Sequence, residues 1–365
     1  MAQKLNFLFM AVFFAVTQTA LSQTEALRTF SDPSRLWGNG IERVIEEAYR
    51  QCIRTKIIDG RVMNVRLPFA MNNDRDALIP SRLDVLEDGK GSPDLLWPSI
   101  EEILASHEFA EYIRALSSGR EKVIIFDMAQ RKWSTSTDLF LIARIKAGSY
   151  KGIPHRPYVL TSGRGALESD VYNYLYCIGF VGMDCSGFVW HVLDYIGKQG
   201  GIDLSRTMAP AMGLPRDADL SRYVGTSFLN SRNPQIIAVN DEIRNLRPGD
   251  IMLFRDIEGV IVHSAVIQSI DRANGVLRYV QCNNVAPLDE RGVHDSYIYF
   301  DPSNPAASLK DPSLHWSQKR FAPYSGEEIP WADDGERYRY VLNGGGRVVR
   351  LQALIPAIEK INSSK

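Results

Sequence analysis

Apolar positions recur at two periods along the chain. Over residues 39–55, Ile41, Val44, Ile45, Ala48, Tyr49, Cys52 and Ile53 fall three or four apart. That spacing predicts an amphipathic helix, with Cys52 a buried structural thiol in its apolar stripe. Residues 99–116 repeat the pattern; Pro98 precedes them, and Ser99 with Glu102 makes a capping-box signature. Residues 56–95 are turn-rich with short strand-like runs. The runs 122–128 (KVIIFDM) and 138–145 (DLFLIARI) predict strands. Residues 146–165 hold four Gly and two Pro, the composition of a linker or approach loop.

Further along, residues 167–177 predict a helix. Residues 185–196 predict a second, buried one, because Phe188, Val189, Val192, Leu193 and Ile196 recur at helical spacing. A longer loop over 200–245 follows. Three strands then come in quick succession at 250–255, 259–270 and 276–283. Residues 301–335 are rich in Pro, Ser and Asp with few regular signals. A hairpin is expected over 337–342 and 348–351, turning at Gly344-Gly345-Gly346. No internal repeat is seen.

At the N-terminus, Lys4 precedes an apolar run over 5–16, then polar and small residues ending in Ala20-Leu21-Ser22. This predicts a signal peptide over 1–22, because the run is short of the ~20 residues that span a bilayer. An uncleaved anchor is the alternative. The protein is expected to be exported, periplasmic or extracellular, with no stable membrane anchor. Its 365 residues are 45% hydrophobic and 23% charged, which suits a folded chain of two domains or slightly more. With 42 basic and 43 acidic residues, no basic excess points to nucleic acid as a partner. Four cysteines are too few for a disulfide scaffold.

The candidate chemistry begins at Asp184-Cys185-Ser186-Gly187. Asp184 is a natural N-cap, which puts Cys185 in the first helical turn, where the helix dipole favours a thiolate nucleophile. A disulfide or core cysteine is the alternative on these four residues alone. His263, in an alternating apolar run, is the candidate general base. On the next strand, alternation puts Tyr279, Gln281 and Asn283 on one face, and a side-chain carbonyl there would accept from the imidazole Nδ1–H and fix its tautomer. His107, His155, His191, His294 and His315 lack metal-ligand spacing, so neither a metal site nor a cofactor is expected. His191 is expected to be structural. Cys177 and Cys282 either pair or are buried, with burial favoured. Trp316 and Trp331 are weighed as groove residues, with local packing favoured.

Taken together, the set resembles the NlpC/P60 family of cysteine peptidases, papain-like peptidoglycan endopeptidases. The marks are Asp184 to Val189 (DCSGFV), Leu246 to Asp250 (LRPGD), the His263 strand with a polar Gln281 one strand later, and Leu204-Ser205-Arg206-Thr207. The resemblance covers residues 167–300. It departs from the family in a longer interval between Cys185 and His263, an insertion near 208–243, and in Ser264 where many relatives have Val. The family's aromatic-Gly-Gly stretch reads here Tyr174-Leu175-Tyr176-Cys177-Ile178-Gly179.

What the resemblance implies is an α+β fold, its core a Cys-bearing helix packed on an antiparallel sheet. An extra N-terminal α+β domain (23–150), a catalytic domain (151–300) and a C-terminal extension (301–365) would make up the mature chain. The implied activity is hydrolysis of peptidoglycan stem peptides at γ-D-glutamyl-diamino acid bonds, in wall or muropeptides. Cys185, His263 and Gln281 would be catalytic, and Asp184, Ser186, Tyr174 and Tyr176 would contact substrate. The alternatives are a non-catalytic wall-binding protein, or an amidase or acyltransferase on the same thiol fold.

Overall fold

The computed structural model describes residues 38–69 and 92–364, apart from 128–129, 131, 148, 150–157, 162, 164, 180, 219, 221–222, 257, 284–291, 322–327, 333 and 342–344. The expected signal peptide, His155, Gly344 and much of the expected linker lie outside the described residues.

The protein is a mixed α+β structure with antiparallel sheets. Helix α1 (Ile41–Gln51) buries Ile41, Val44, Ile45, Ala48 and Tyr49. It ends four residues before the expected boundary, because Cys52 turns the chain and the β-branched run beyond it pairs as β1 (Ile53–Ile58) with β2 (Arg61–Arg66). The single helix expected over 99–116 is two helices. Helix α2 (Pro93–Leu104) starts on a proline at its first turn, so Ser99 and Glu102 lie inside it and cap nothing. Ser106 caps α3 (His107–Ser117) by accepting from Phe109 N at 3.1 Å. Strand β3 (Lys122–Asp127) forms as expected and pairs with β4 (Lys132–Ser136) and β5 (Tyr158–Thr161).

Residues 138–145 are not a strand. Asp138 accepts from Phe140 N and Leu141 N, and α4 (Leu139–Lys146) buries Ile142 and Ile145 while Leu139 and Phe140 stay exposed. The three-residue spacing of the buried pair decides for helix. The run 167–177 is α5 (Glu168–Tyr174), continued by a π-helical turn over Leu175–Gly179.

Next come α6 (Cys185–Gly200), α7 (Leu204–Met208) and α8 (Thr226–Leu229), the latter two within the expected long loop. Among the described residues the main sheet has eight strands: β6 (Ile236–Val239), β7 (Ile251–Arg255), β8 (Ile261–Asp271), β9 (Val276–Asn283), β10 (Gly292–Tyr299), β11 (His315–Phe321), β12 (Glu328–Ala332) and β13 (Arg347–Leu351). Their spatial order is β12-β11-β10-β9-β8-β7-β13-β6. Two of these strands, β11 and β12, fall in the segment read as irregular. The first arm of the expected C-terminal hairpin is instead helix α9 (Asp334–Val341). Its second arm, β13, finds partners far away in sequence, between β6 and β7. Helix α10 (Ile355–Ser363) closes the chain.

Both faces of the sheet are buried. Leu253, Val266, Val280 and Cys282 join Phe188, Val189 and Leu193 of α6 in the largest apolar cluster. Met252, Phe254, Ala265, Tyr279, Trp316 and Tyr340 form a second cluster on the other face. Trp316 is thus packed among aromatic rings; the side chain of Trp331 lies outside the described residues. The largest cluster also contains Ile45, Trp97, Tyr112 and Phe126, so the core does not break near residue 150. Helix α1 contacts both α6 and the sheet: His191 Nε2 of α6 bonds Ala48 O at 3.1 Å, and Gln268 Nε2 of β8 donates to Glu42 O at 3.0 Å.

One buried ion pair crosses this contact. Arg278 of β9 donates to Glu46 of α1 and to Asp295 of β10, with both the Arg278 and Glu46 side chains almost wholly shielded from solvent. The guanidinium also sits 5.3 Å from the centre of the Tyr49 ring. Removing one partner of such a pair strands the other charge, at a cost of about 3–5 kcal/mol. Arg278→Met is therefore expected to lower unfolding free energy by about that amount. Adding Glu46→Gln should recover much of the loss. Urea denaturation of the single and double variants measures both.

Candidate active site

Asp184 has extended backbone angles and its carboxylate accepts from Gly187 N, so α6 begins at Cys185. Ser186 Oγ donates to the same carboxylate at 3.1 Å. Asp184 and Ser186, expected from the resemblance to touch substrate, are thus joined in the cap itself. Cys185 is 8% exposed, and its sulfur lies 3.9 Å from Val262 O of β8. Burial pushes the thiol up to about 12, and the adjacent Asp184 carboxylate adds to the rise. The nearby Ser264 and the Ser186 N–H work in the other direction and are outweighed. The helix start, expected to favour the thiolate, is outweighed here: desolvation is the larger effect.

His263 is 3% exposed. Its Nε2 bonds Gln281 Oε1 at 2.7 Å, and its ring lies 5.1 Å from that of Phe254. Gln281 is itself held: Asn283 Nδ2 donates to its Oε1 at 3.3 Å, and its Nε2 donates to Ser296 Oγ at 2.9 Å. An acceptor facing the imidazole assigns the proton to Nε2, which leaves Nδ1 as the basic nitrogen. This reverses the two ring nitrogens relative to the sequence expectation. Asn283 joins the group through Gln281. Ser296, two positions beyond His294 on β10, is a member that the sequence reading missed. It lies on β10, a strand not read from sequence because 292–299 (GVHDSYIY) carries no clean alternation. Burial pulls the imidazole down to about 3; the Gln281 bond opposes this, and the charges of Arg339 and His294 reinforce it.

The cysteine and the histidine are not hydrogen-bonded to one another. Along β8, alternation turns Ser264 toward α6 and the sulfur, and His263 toward Phe254 and Gln281 on the other face. His263 and Gln281 are brought together; Cys185 instead meets the backbone and side chain on either side of His263.

The LRPGD turn has a structural task. Gly249 adopts φ +92°, Asp250 accepts from Arg247 N at 2.8 Å, and Arg350 of β13 grips the Asp250 carboxylate at 2.6 and 2.8 Å. Tyr174 and Tyr176 each pack against other aromatic rings. The Tyr174 ring packs 4.9 Å from that of Tyr112 and 5.1 Å from that of Phe109, on the wall of a cavity of about 840 Å³ shared with Glu102, Glu108 and Trp133. Tyr176 stacks on Tyr172 at 6.2 Å. All four cysteines are buried free thiols, so Cys177 and Cys282 do not pair. Cys282 Sγ donates to Met183 O at 3.1 Å, and Cys52 Sγ lies 3.9 Å from Ala48 O. Among the described residues no group of three or more His, Cys, Asp or Glu is arranged to hold a metal ion.

No family model, curated protein or solved structure matches the chain.

Two expected outcomes follow from these environments. A histidine whose folded pKa is depressed binds fewer protons than in the unfolded chain. Its contribution is therefore complete above the unfolded value near 6.5 and is lost as pH falls toward about 3. Stability should drop in that window by up to about 1.4 kcal/mol per pH unit from this group, and His263→Asn should flatten the drop, as read by urea midpoints across pH. Iodoacetamide should label Cys185 before Cys52, which is fully buried, with a rate still climbing above pH 9. Peptide mapping after brief exposure resolves the two; a Cys185 rate that levels off by pH 8 would contradict the environment described.

Proposed function

We propose that the protein is an exported thiol hydrolase of the NlpC/P60 type, acting on peptidoglycan stem peptides at γ-D-glutamyl-diamino acid bonds. The observation that carries the reading is the His263–Gln281 bond, one strand residue from the sulfur of a capped helix-start cysteine. It leaves Nδ1 as a base whose ring is held in place. Cys185 Sγ attacks the amide carbonyl, forming the S–C bond. His263 takes the thiol proton and gives it to the leaving amine as the C–N bond breaks. Water then hydrolyses the thioester, with the same imidazole as base. The Cys185 N–H, one of the first-turn donors without an intrahelical acceptor, would hold the oxyanion.

Burial of both groups favours a neutral thiol and a neutral imidazole at rest. The chemistry therefore requires the start of β8, where pairing with β7 turns irregular just beyond Phe254 and His263, to rearrange so that Nδ1 reaches Sγ when substrate binds. A second reading, a wall-binding protein that does not hydrolyse, is favoured by one observation: the turn of His263 away from the sulfur.

Incubation with purified muropeptides, followed by mass spectrometry, separates the two. The wild type is expected to release a fragment with a new amine, while Cys185→Ala folds and yields none. His263→Ala should lose at least ~100-fold in kcat. Unchanged muropeptides with the wild type would favour the binding reading. Cleavage retained by a folded Cys185→Ala protein would exclude Cys185 as nucleophile.

A further inference from the structure

Ser264 is fully buried, and its hydroxyl has no hydrogen-bond partner among the described oxygen and nitrogen atoms. A buried hydroxyl left in that state costs about 1–3 kcal/mol and calls for an explanation. Its position supplies one. Ser264 pairs with Leu253 across β7 and β8, on the face that packs against α6. The Cys185 sulfur rests on this short stretch of strand, 3.9 Å from Val262 O. The carbonyl of Val262 can only accept, so it suits the protonated thiol. Once the sulfur loses its proton, that carbonyl becomes a repulsive neighbour and the sulfur needs a donor instead.

We infer that the Ser264 hydroxyl is that donor: it turns to the sulfur when Cys185 becomes a thiolate and stabilises the nucleophile from the face that His263 does not occupy. The inference rests on Cys185 being the nucleophile of the reading above, but the placement of Ser264 on the sulfur's side of β8 does not depend on the substrate. A hydrogen bond to an anion is roughly twice as strong as one between neutral groups, so the hydroxyl favours the thiolate over the thiol. The direction of its effect on the thiol agrees, as does that of its backbone N–H. The other ionisable groups facing the sulfur are unfavourable to an anion or neutral: Asp184 at the helix cap, and Cys282 on β9, which in turn faces Cys52 at the end of α1. Arg66 of β2 acts on Cys282, not on Cys185. Ser264 is therefore the side-chain donor available to the sulfur on this face. It also gives a chemical reason for serine at a position where an apolar residue would satisfy packing alone.

The test reads the sulfur directly. The rate of Cys185 alkylation by iodoacetamide is followed across pH in the full chain, for wild type, Ser264→Ala and Ser264→Thr, with Cys52 labelling as the internal reference. Loss of one charge-assisted donor should move the Ser264→Ala profile upward by about one pH unit, a ~10-fold slower reaction at fixed pH. Ser264→Thr, which keeps the hydroxyl, should follow wild type, and Cys52 should not change. A purely structural serine would leave the pH profile in place while altering the thermal midpoint, which is recorded in parallel. A Ser264→Ala profile superimposable on wild type overturns the inference, even if Ser264→Thr does not fold. A shifted profile in a protein that cleaves no muropeptide would keep the Ser264 assignment and reject the peptidase reading instead.

Discussion

Strand β8 imposes the constraint on which the site depends. Successive side chains on a strand point to opposite faces, and here both faces are buried. One face receives α6 and its cysteine; the other is filled by Phe254, Tyr279, Trp316 and Tyr340. His263 and Ser264 are neighbours in sequence and cannot both face the sulfur. The register fixed by Phe254 opposite His263 and Leu253 opposite Ser264 gives the sulfur side to the serine. A slip of one residue would exchange them and also turn Val266 and Ala265 to the wrong cores, so the arrangement is held by the packing of the whole strand.

The same burial explains why the site rests uncharged. Desolvation raises an acid and lowers a base, and at Cys185 and His263 it exceeds every hydrogen bond that opposes it. An ion pair between the two would need a partner within reach to offset the loss of water, and the resting geometry provides none. The charges the fold does bury are matched by geometry instead. Arg278 is flanked by Glu46 and Asp295, and Asp250 is gripped by Arg350 through two bonds.

Much of this was legible in the sequence, at particular positions. Asp184 announced the start of α6 because a short acceptor before an apolar period has one good use. Parity along β9 placed Gln281 and Asn283 on a common face, and their shared bond agrees. Parity alone does not say which face receives a helix, so the separation of Cys185 from His263 was invisible. The run at 138–145 was misread because eight apolar-rich residues fit either period, and the Asp138 cap decided it. The segment 337–342 was misread for a different reason: β13 is a good strand, but its partners lie about a hundred residues earlier, beyond any local signal. The core that joins α1 to α6 likewise comes from long-range packing that composition does not record.

That placement of β13 makes the sheet depend on a segment distant in sequence. Until residues 347–351 are available, β7 has an open edge and β6 has no neighbour in the sheet. Asp250 then holds a carboxylate in an apolar setting without its guanidinium. The turn it anchors leads directly into β7, and β7 sets the register of β8 beneath the cysteine. A nascent chain with Cys185, His263 and Gln281 all synthesised would still lack the strand that aligns them. Alignment of the thiol site is thus coupled to the pairing of residues 347–351 with β6 and β7.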